Sequence, residues 1–465
     1  MFKNIDKISE KNISGFERVT ERLSNDRIFN ILTIQNTSEL IWMCAGQFIA
    51  MVLSFVSIKL QTSMGPAEYG KYSLILTLSA LLSIVLYGPA QQGFVRHYFN
   101  YLNNGIPKTY IKLYYTFLCS SSMYLLFLVL ITIPFLKIIG KIYEPNFIII
   151  ASFFVVLLAA YSTLSPMINL LRKRKSNAIM QVVEKSLFVI FLFIINSLWK
   201  LTALGVCIAF IFTLVIVLVA KIIILNSIIP VDSIHDSDTI NRNKKNIISN
   251  VKKFSIPFGV WGIAGWLQLN SEKWVIAKYL SASDVGVYAL MLSIVNYLVV
   301  IPIGIISQFI TPIIYNKYMF TNHQINQIGW YDVFVCFIFA VIGLVIIALI
   351  ITIIFGNQMI MLLSNNKFIE YWYILPILCF GTGLFYIGES LTILGMVLNT
   401  PDKYMYTKII SGFLALFANI IFIIYFGVIG VAISICFMGV IYITFILYVN
   451  NKMCYSKTFN NAVEI

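Results

Sequence analysis

The amino-acid sequence predicts an all-α integral membrane protein, with about twelve transmembrane helices arranged as two six-helix bundles. Three observations lead there. The 465 residues are 59% hydrophobic and only 11% charged, with a mean hydropathy of +0.87. A soluble globular chain carries about 25% charged residues and has nowhere to hide so much apolar surface. The apolar residues fall into long runs, each of the length a bilayer requires. The chain also contains a weak echo of itself.

Crossing the hydrocarbon core takes about 20 mostly apolar residues in a helix. Twelve runs qualify, at 39–62, 72–99, 109–133, 146–170, 177–198, 202–226, 254–279, 285–315, 329–355, 371–397, 404–425 and 428–449. Pro89, Pro166, Pro302, Pro312 and Pro376 fall inside these runs. Neighbouring helices can satisfy the carbonyls such prolines leave free. The first 38 residues are polar, with no signal-type apolar core; they read as a cytoplasmic, surface-lying amphipathic segment in which Ser24 and Asn25 are possible caps.

The net charge of +14 is unevenly distributed. Cations collect in the N-terminal segment, the 100–108 loop, the Arg172–Lys175 cluster, the 227–253 loop and the tail at Lys452 and Lys457. The other face keeps only scattered lysines such as Lys71, Lys137, Lys141, Lys200 and Lys367. Basic loops mark the cytoplasmic side, so both termini are expected there, in agreement with an even span count. The same distribution removes any need for a nucleic-acid partner.

The echo pairs GPAEYGKY at 65–72 with SASDVGVY at 281–288. In one register Glu68 matches Asp284, Gly70 matches Gly286, Tyr72 matches Tyr288, Gly88 matches Gly304 and Gln92 matches Gln308; further back, Gly46 matches Gly262. Late in each half, LGV at 204–206 resembles IGV at 429–431. Halves of six spans have the same orientation, related by a pseudo-two-fold axis along the membrane normal, which is a transporter plan. The expected organisation is a cytoplasmic segment 1–38, a bundle 39–226, a basic linker 227–253, a bundle 254–450 and a cytoplasmic tail 451–465.

Within this apolar background the ionisable residues stand out, because an intramembrane charge is costly and usually faces a cavity or a partner. Residues 266–280 read WLQLNSEKWVIAKYL. At 1.5 Å per residue from Lys253, Glu272 lies about 28 Å along the helix, in the outer half of the membrane. At 100° per residue Gly259, Gly262, Trp266, Asn270, Lys273 and Ala277 share one face, with Gly265, Gln268 and Glu272 on another. Lys273 and Asn270 are candidate substrate ligands, with Glu272 tuning the lysine or coupling to an ion. An interhelical ion pair that only orients the helix is the competing reading. Glu184 and Lys185, and Glu389, are further candidates that admit structural pairing equally. Arg96 is a translocation candidate as well, although for Arg96, Lys59 and Lys408 snorkelling to the interface is the simpler account. Trp261 and Trp266 are read as packing residues rather than sugar platforms.

The chain has no GxxxxGK[ST], GxSxG or HExxH motif, so no P-loop nucleotide hydrolysis and no catalytic or metal residues are expected, and no cofactor. Its seven cysteines form no CxxC pair and read as small apolar packing residues. Outer loops are short, leaving little room for an enzyme's extramembrane domain.

The segment from Ser255 to Tyr315 resembles the Wzx-type polysaccharide flippase family. The resemblance is carried by Ile256-Pro257, the acid–base pair Glu272-Lys273 and the loop SASDVGVYAL, with GPAEYGKYSL similar to the corresponding first-half loop. The family usually has Asp where this chain has Glu272. The resemblance implies a fold like the multidrug and toxin exporters (MATE-like, of the MOP superfamily), with two bundles in a V around a cavity. It also implies alternating-access translocation of an undecaprenyl-diphosphate-linked oligosaccharide (an O-antigen or capsule repeat unit) from the cytoplasmic to the outer leaflet of a bacterial inner membrane. Implied partners are the lipid-linked oligosaccharide, membrane lipids, a coupling ion, and a polysaccharide polymerase with its chain-length proteins. A multidrug exporter of the same fold and a multi-span polymerase or ligase remain as alternatives.

Overall fold

A computed structural model describes residues 34–463, except 104, 139–144, 172, 233–236, 321–328, 365 and 399. The polar segment 1–33, with Ser24 and Asn25, and the side chains after Met453 lie outside what is described. Among the described residues every regular element is helical. In chain order the α-helices are α1 (Ile34–Thr62), α2 (Pro66–Leu82), α3 (Gly88–Asn103), α4 (Pro107–Ile138), α5 (Pro145–Ser162), α6 (Leu164–Leu170), α7 (Arg174–Leu198), α8 (Ala203–Ile228), α9 (Ser237–Tyr279), α10 (Ala282–Val295), α11 (Ile301–Phe320), α12 (Trp330–Leu363), α13 (Ile374–Leu391), α14 (Ile393–Val397) and α15 (Met405–Val463).

Ten helical stretches are long and apolar enough to cross a membrane, making this a multi-pass membrane protein. One of them, 402–453, is a hairpin rather than a rod. Gly427 sits at φ 59°, inside α15, a backbone state that favours glycine. A Cβ on Gly430 would lie 2.0 Å from the Phe422 carbonyl oxygen. Phe422 and Phe437 meet at 6.0 Å, and Ala415, Ala418 and Met438 share a core. The chain therefore folds back at the boundary expected between 425 and 428. The run at 254–279 is helical but is not among the ten stretches.

Prolines account for the main irregularities. Pro89 has no N–H to give the Val85 carbonyl, and Pro302 none for Leu298. Immediately before each lies a five-residue π-helical turn, Ser83–Tyr87 and Asn296–Val300, closed by Gly88 N–H to Ser83 O and by Ile301 N–H to Asn296 O. The two turns occupy similar places in the two echoing segments. Pro166 follows a break at Thr163 that splits the fourth run into α5 and α6.

The echo itself is a contact. A Cβ on Gly70 would lie 1.9 Å from the Ala282 carbonyl oxygen, and one on Gly286 would lie 1.9 Å from the Pro66 carbonyl oxygen. The matched glycines thus seat reciprocally, each against the other loop's helix start, and small residues are what such a backbone approach requires. Tyr72 and Tyr288 are both buried beside this contact. Asp284 forms a capping box with Ser281. Its counterpart Glu68 instead accepts from the Ala203 N–H at 2.9 Å, capping α8, and pairs with Lys71 at 2.6 Å.

The 227–253 segment departs from the expected solvated loop. Asp232 does cap a neighbour: its carboxylate accepts from Lys108 N–H (2.7 Å), Thr109 N–H (3.0 Å) and the Thr109 hydroxyl (2.6 Å), at the start of α4. From Ser237, however, the chain is already α9, 43 residues long, about 65 Å and twice the hydrocarbon thickness. Ile247 and Val251 are buried among Phe94, Tyr98, Tyr101 and Tyr110, and Asn250 donates to the Tyr101 hydroxyl at 3.2 Å. Lysines mask this helix in a hydropathy reading. Its beginning packs on the first half of the chain, and its end on the second, where a Gly412 Cβ would lie 2.6 Å from the Ala264 carbonyl.

Candidate functional site

Three gatherings of polar side chains among the described residues contain sequence candidates or their partners. The first is a cavity of about 220 Å³ between α9, α10, α13 and both arms of α15, reaching the π-turn at Asn296. Its polar lining is Gln268, Asn270, Glu272, Lys273, Asn296, Thr382, Tyr386, Asn419 and Ser434. Asn419 ties the wall together, donating to the Ser271 hydroxyl at 3.2 Å and accepting from the Ser434 hydroxyl. Glu272 is only 2% exposed, while Lys273 is partly open. Both helix faces bearing these residues border the cavity, so the expected division into one cavity face and one packing face does not hold at this level. Nearer the start of α9, Gly262 lies on the Ile84 carbonyl and the Trp266 indole donates to the Thr77 carbonyl at 2.8 Å; just past Lys273, Trp274 donates to the Thr77 hydroxyl at 2.9 Å.

The second place is built by Glu389, Lys408 and Tyr442. Lys408 donates to Glu389, and the Tyr442 hydroxyl donates to the same carboxylate oxygen at 2.6 Å. The Lys408 ammonium also sits 5.0 Å from the Phe385 and Tyr442 ring centres. Snorkelling is thus the wrong account of Lys408, which is 4% exposed. The Glu389 carboxylate and two aromatic rings hold its ammonium among the helices. Lys59 does not simply snorkel either: it donates to the Met361 and Ser364 carbonyls at 3.3 and 3.2 Å, at the end of α12, where the helix dipole favours a cation.

The third place holds Glu184 and Lys185, 3.1 Å apart. The Tyr161 hydroxyl donates to Glu184 at 2.6 Å. Lys221, fully buried in α8, donates to the Ser165 hydroxyl at 2.8 Å and lies 4.0 Å from the Tyr161 ring centre. Each half of the chain therefore carries a glutamate, a lysine and a tyrosine contributed by its last three long apolar segments. Arg96 stands apart, exposed on α3, about one turn beyond Gly93, which packs on α9 at Ser255.

Of the seven sequence candidates, Asn270, Glu272 and Lys273 meet in one cavity. Glu184 and Lys185 meet in a second cluster, Glu389 belongs to another, and Arg96 joins none. Sequence reasoning missed Tyr161, Lys221 and Tyr442, and the uncharged lining residues Asn296, Thr382, Asn419 and Ser434. Lys221 was detectable: it interrupts the run LVIVLVAKIIIL. Among the described residues no His/Cys/Asp/Glu group is placed to hold a metal ion.

The family model described as "Polysaccharide biosynthesis protein" matches residues 37–317, more than half of the chain. The chain belongs to the polysaccharide biosynthesis protein family. The matched region of this family member includes both echoing loops, the Glu184 cluster and the Glu272–Lys273 pair. Sequence comparison with curated proteins finds no match. Among solved structures, the family member is similar to an inward-facing multidrug resistance MATE transporter of the MOP superfamily (12% identity, 90% of this chain and 99% of that one, TM-score 0.66). It is also similar to the lipid II flippase MurJ in an inward closed conformation (14%, 88% and 87%, 0.61). A third is a MOP superfamily transporter from Pyrococcus furiosus (13%, 90% and 95%, 0.60). At these identities the likeness establishes the fold, which is MATE-like.

Proposed function

We propose that this protein is a flippase carrying an undecaprenyl-diphosphate-linked oligosaccharide repeat unit from the cytoplasmic to the outer leaflet of a bacterial inner membrane. Twelve crossings divide into bundles 39–226 and 254–450, both termini are cytoplasmic, and the bundles rock in alternating access. The lipid tail stays in the bilayer while the headgroup passes through. An ion gradient or removal of product supplies the driving force.

The observation that carries this reading, beside the family match, is the charge balance of the interior. Glu184 is satisfied by Lys185 and Tyr161, and Glu389 by Lys408 and Tyr442. Lys273 shares its amide- and hydroxyl-lined cavity with Glu272, and Arg96 is exposed. A cation exporter of the same fold would need an available acid. Here Glu184 and Glu389 are paired and Glu272 has Lys273 beside it, so each of these acids has a cation next to it, while the exposed Arg96 is what remains available to a diphosphate headgroup.

The test is a reconstituted flipping assay with a fluorescent lipid-linked oligosaccharide, comparing the unaltered chain with Arg96→Gln and Arg96→Glu. The expected result is at least a tenfold slower flip in each variant with an unchanged melting temperature. Wild-type rates in both would overturn the cationic-headgroup reading.

A further inference from the structure

We propose that the cavity between α9, α10, α13 and α15 is a subsite for one uncharged sugar ring of the transported headgroup, separate from the site of its phosphates. This rests on the flippase reading for its role, and on the cavity alone for its chemistry. The volume of about 220 Å³ accommodates a pyranose ring. The polar wall consists almost wholly of carboxamides and hydroxyls: Asn270, Asn296 and Asn419, with Thr382, Ser434 and Tyr386. A carboxamide offers a donor and an acceptor side by side, which matches the paired hydroxyls or amide substituent of a sugar. It gives a full negative charge no compensation.

Two further features point the same way. Gln268 borders the cavity with neither carboxamide atom hydrogen-bonded, although the residue is 9% exposed. An unpartnered buried amide is costly, and a hydroxylated ligand entering beside it relieves that cost. Phe385 and Tyr386 line the cavity as well, and aromatic side chains suit the C–H face of a pyranose. The one acid and one base present, Glu272 and Lys273, are adjacent and opposite in sign, so they leave the cavity without the net positive charge a diphosphate requires. Asn296, at the start of a π-helical turn, is exposed and makes no side-chain hydrogen bond in the structure, a placement typical of functional π-turns.

The experiment uses the full chain in nanodiscs and saturation-transfer NMR with four probes: methyl glucoside, methyl N-acetylglucosaminide, methyl glucuronide and farnesyl diphosphate. The uncharged glycosides are expected to bind and to compete with each other. Asn296→Leu and Thr382→Val are expected to weaken them about tenfold while leaving farnesyl diphosphate unaffected. The proposal is overturned if the glycosides bind both variants as they bind wild type, if they bind none, or if glucuronide or farnesyl diphosphate is the ligand lost. If glycosides bind as stated while lipid-linked oligosaccharide is not flipped, the subsite stands and the flippase reading falls. If flipping proceeds with no glycoside binding, the reverse holds.

Discussion

Alanine at Gly70 or Gly286 should prise the two loops apart. A Cβ at either position would stand 1.9 Å from a backbone carbonyl oxygen of the other loop, against an ordinary contact of about 3.4 Å. The helices must separate by about 1.5 Å, and neither neighbour is a flexible side chain that can swing away. Overpacking of this kind typically costs about 1–3 kcal/mol, which is a factor of about 5 to 150 in a two-state equilibrium. The cost falls only on the conformation in which these loops touch, so the population shifts toward one in which that face is open. In a background freed of native cysteines, Ser293→Cys is a reporter beside the contact, since Ser293 lies 3.5 Å from the Tyr69 hydroxyl. Its labelling by a membrane-impermeant maleimide, added from the face opposite the basic loops, should accelerate by that factor in Gly70→Ala and Gly286→Ala. Gly304→Ala is the control, because no atom lies within 4 Å of its added Cβ. Labelling of the Gly70 and Gly286 variants at the Gly304→Ala rate would refute the reasoning.

Other consequences follow from the buried polar groups. Lys408→Met should destabilise the protein by about 2–3 kcal/mol, somewhat below a fully buried pair because Glu389 is about one-third exposed; adding Glu389→Gln should restore most of the loss, read by thermal unfolding in detergent. Gln268→Leu should raise the melting temperature, since it removes an unpartnered buried amide worth about 1–3 kcal/mol, while slowing transport; a lowered melting temperature would show that the amide has a partner. Asp232→Ala should cost about 0.5–2 kcal/mol by removing the cap on α4, and a lowered melting temperature would report it.

Much of the architecture is legible in the sequence because the bilayer imposes a length on each apolar run. The break at Gly427 and the pairing of Gly70 with Gly286 could be located from periodicity and register. That these glycines touch could not, since a repeat says which positions are alike and not which are neighbours. The start of α9 was hidden by Lys244, Lys245, Lys252 and Lys253, which read as loop while Ile247 and Val251 pack in a core. The site was half legible. Glu272 and Lys273 announce themselves because charge is expensive in hydrocarbon, but Asn296, Asn419 and Ser434 each cost little and do not stand out from the apolar runs. The partners of Lys408 and Lys221 come from helices distant in sequence, so one-dimensional reasoning assigned Lys408 to the interface and passed over Lys221.

The central claim is tested most directly by the sidedness of lipid-linked oligosaccharide in cells with and without this protein. The account predicts that the intermediate accumulates in the cytoplasmic leaflet when the protein is absent and returns to the outer leaflet when it is restored. Arrival at the outer leaflet, unpolymerised, in cells lacking the protein would contradict it and point to a polymerase or ligase instead.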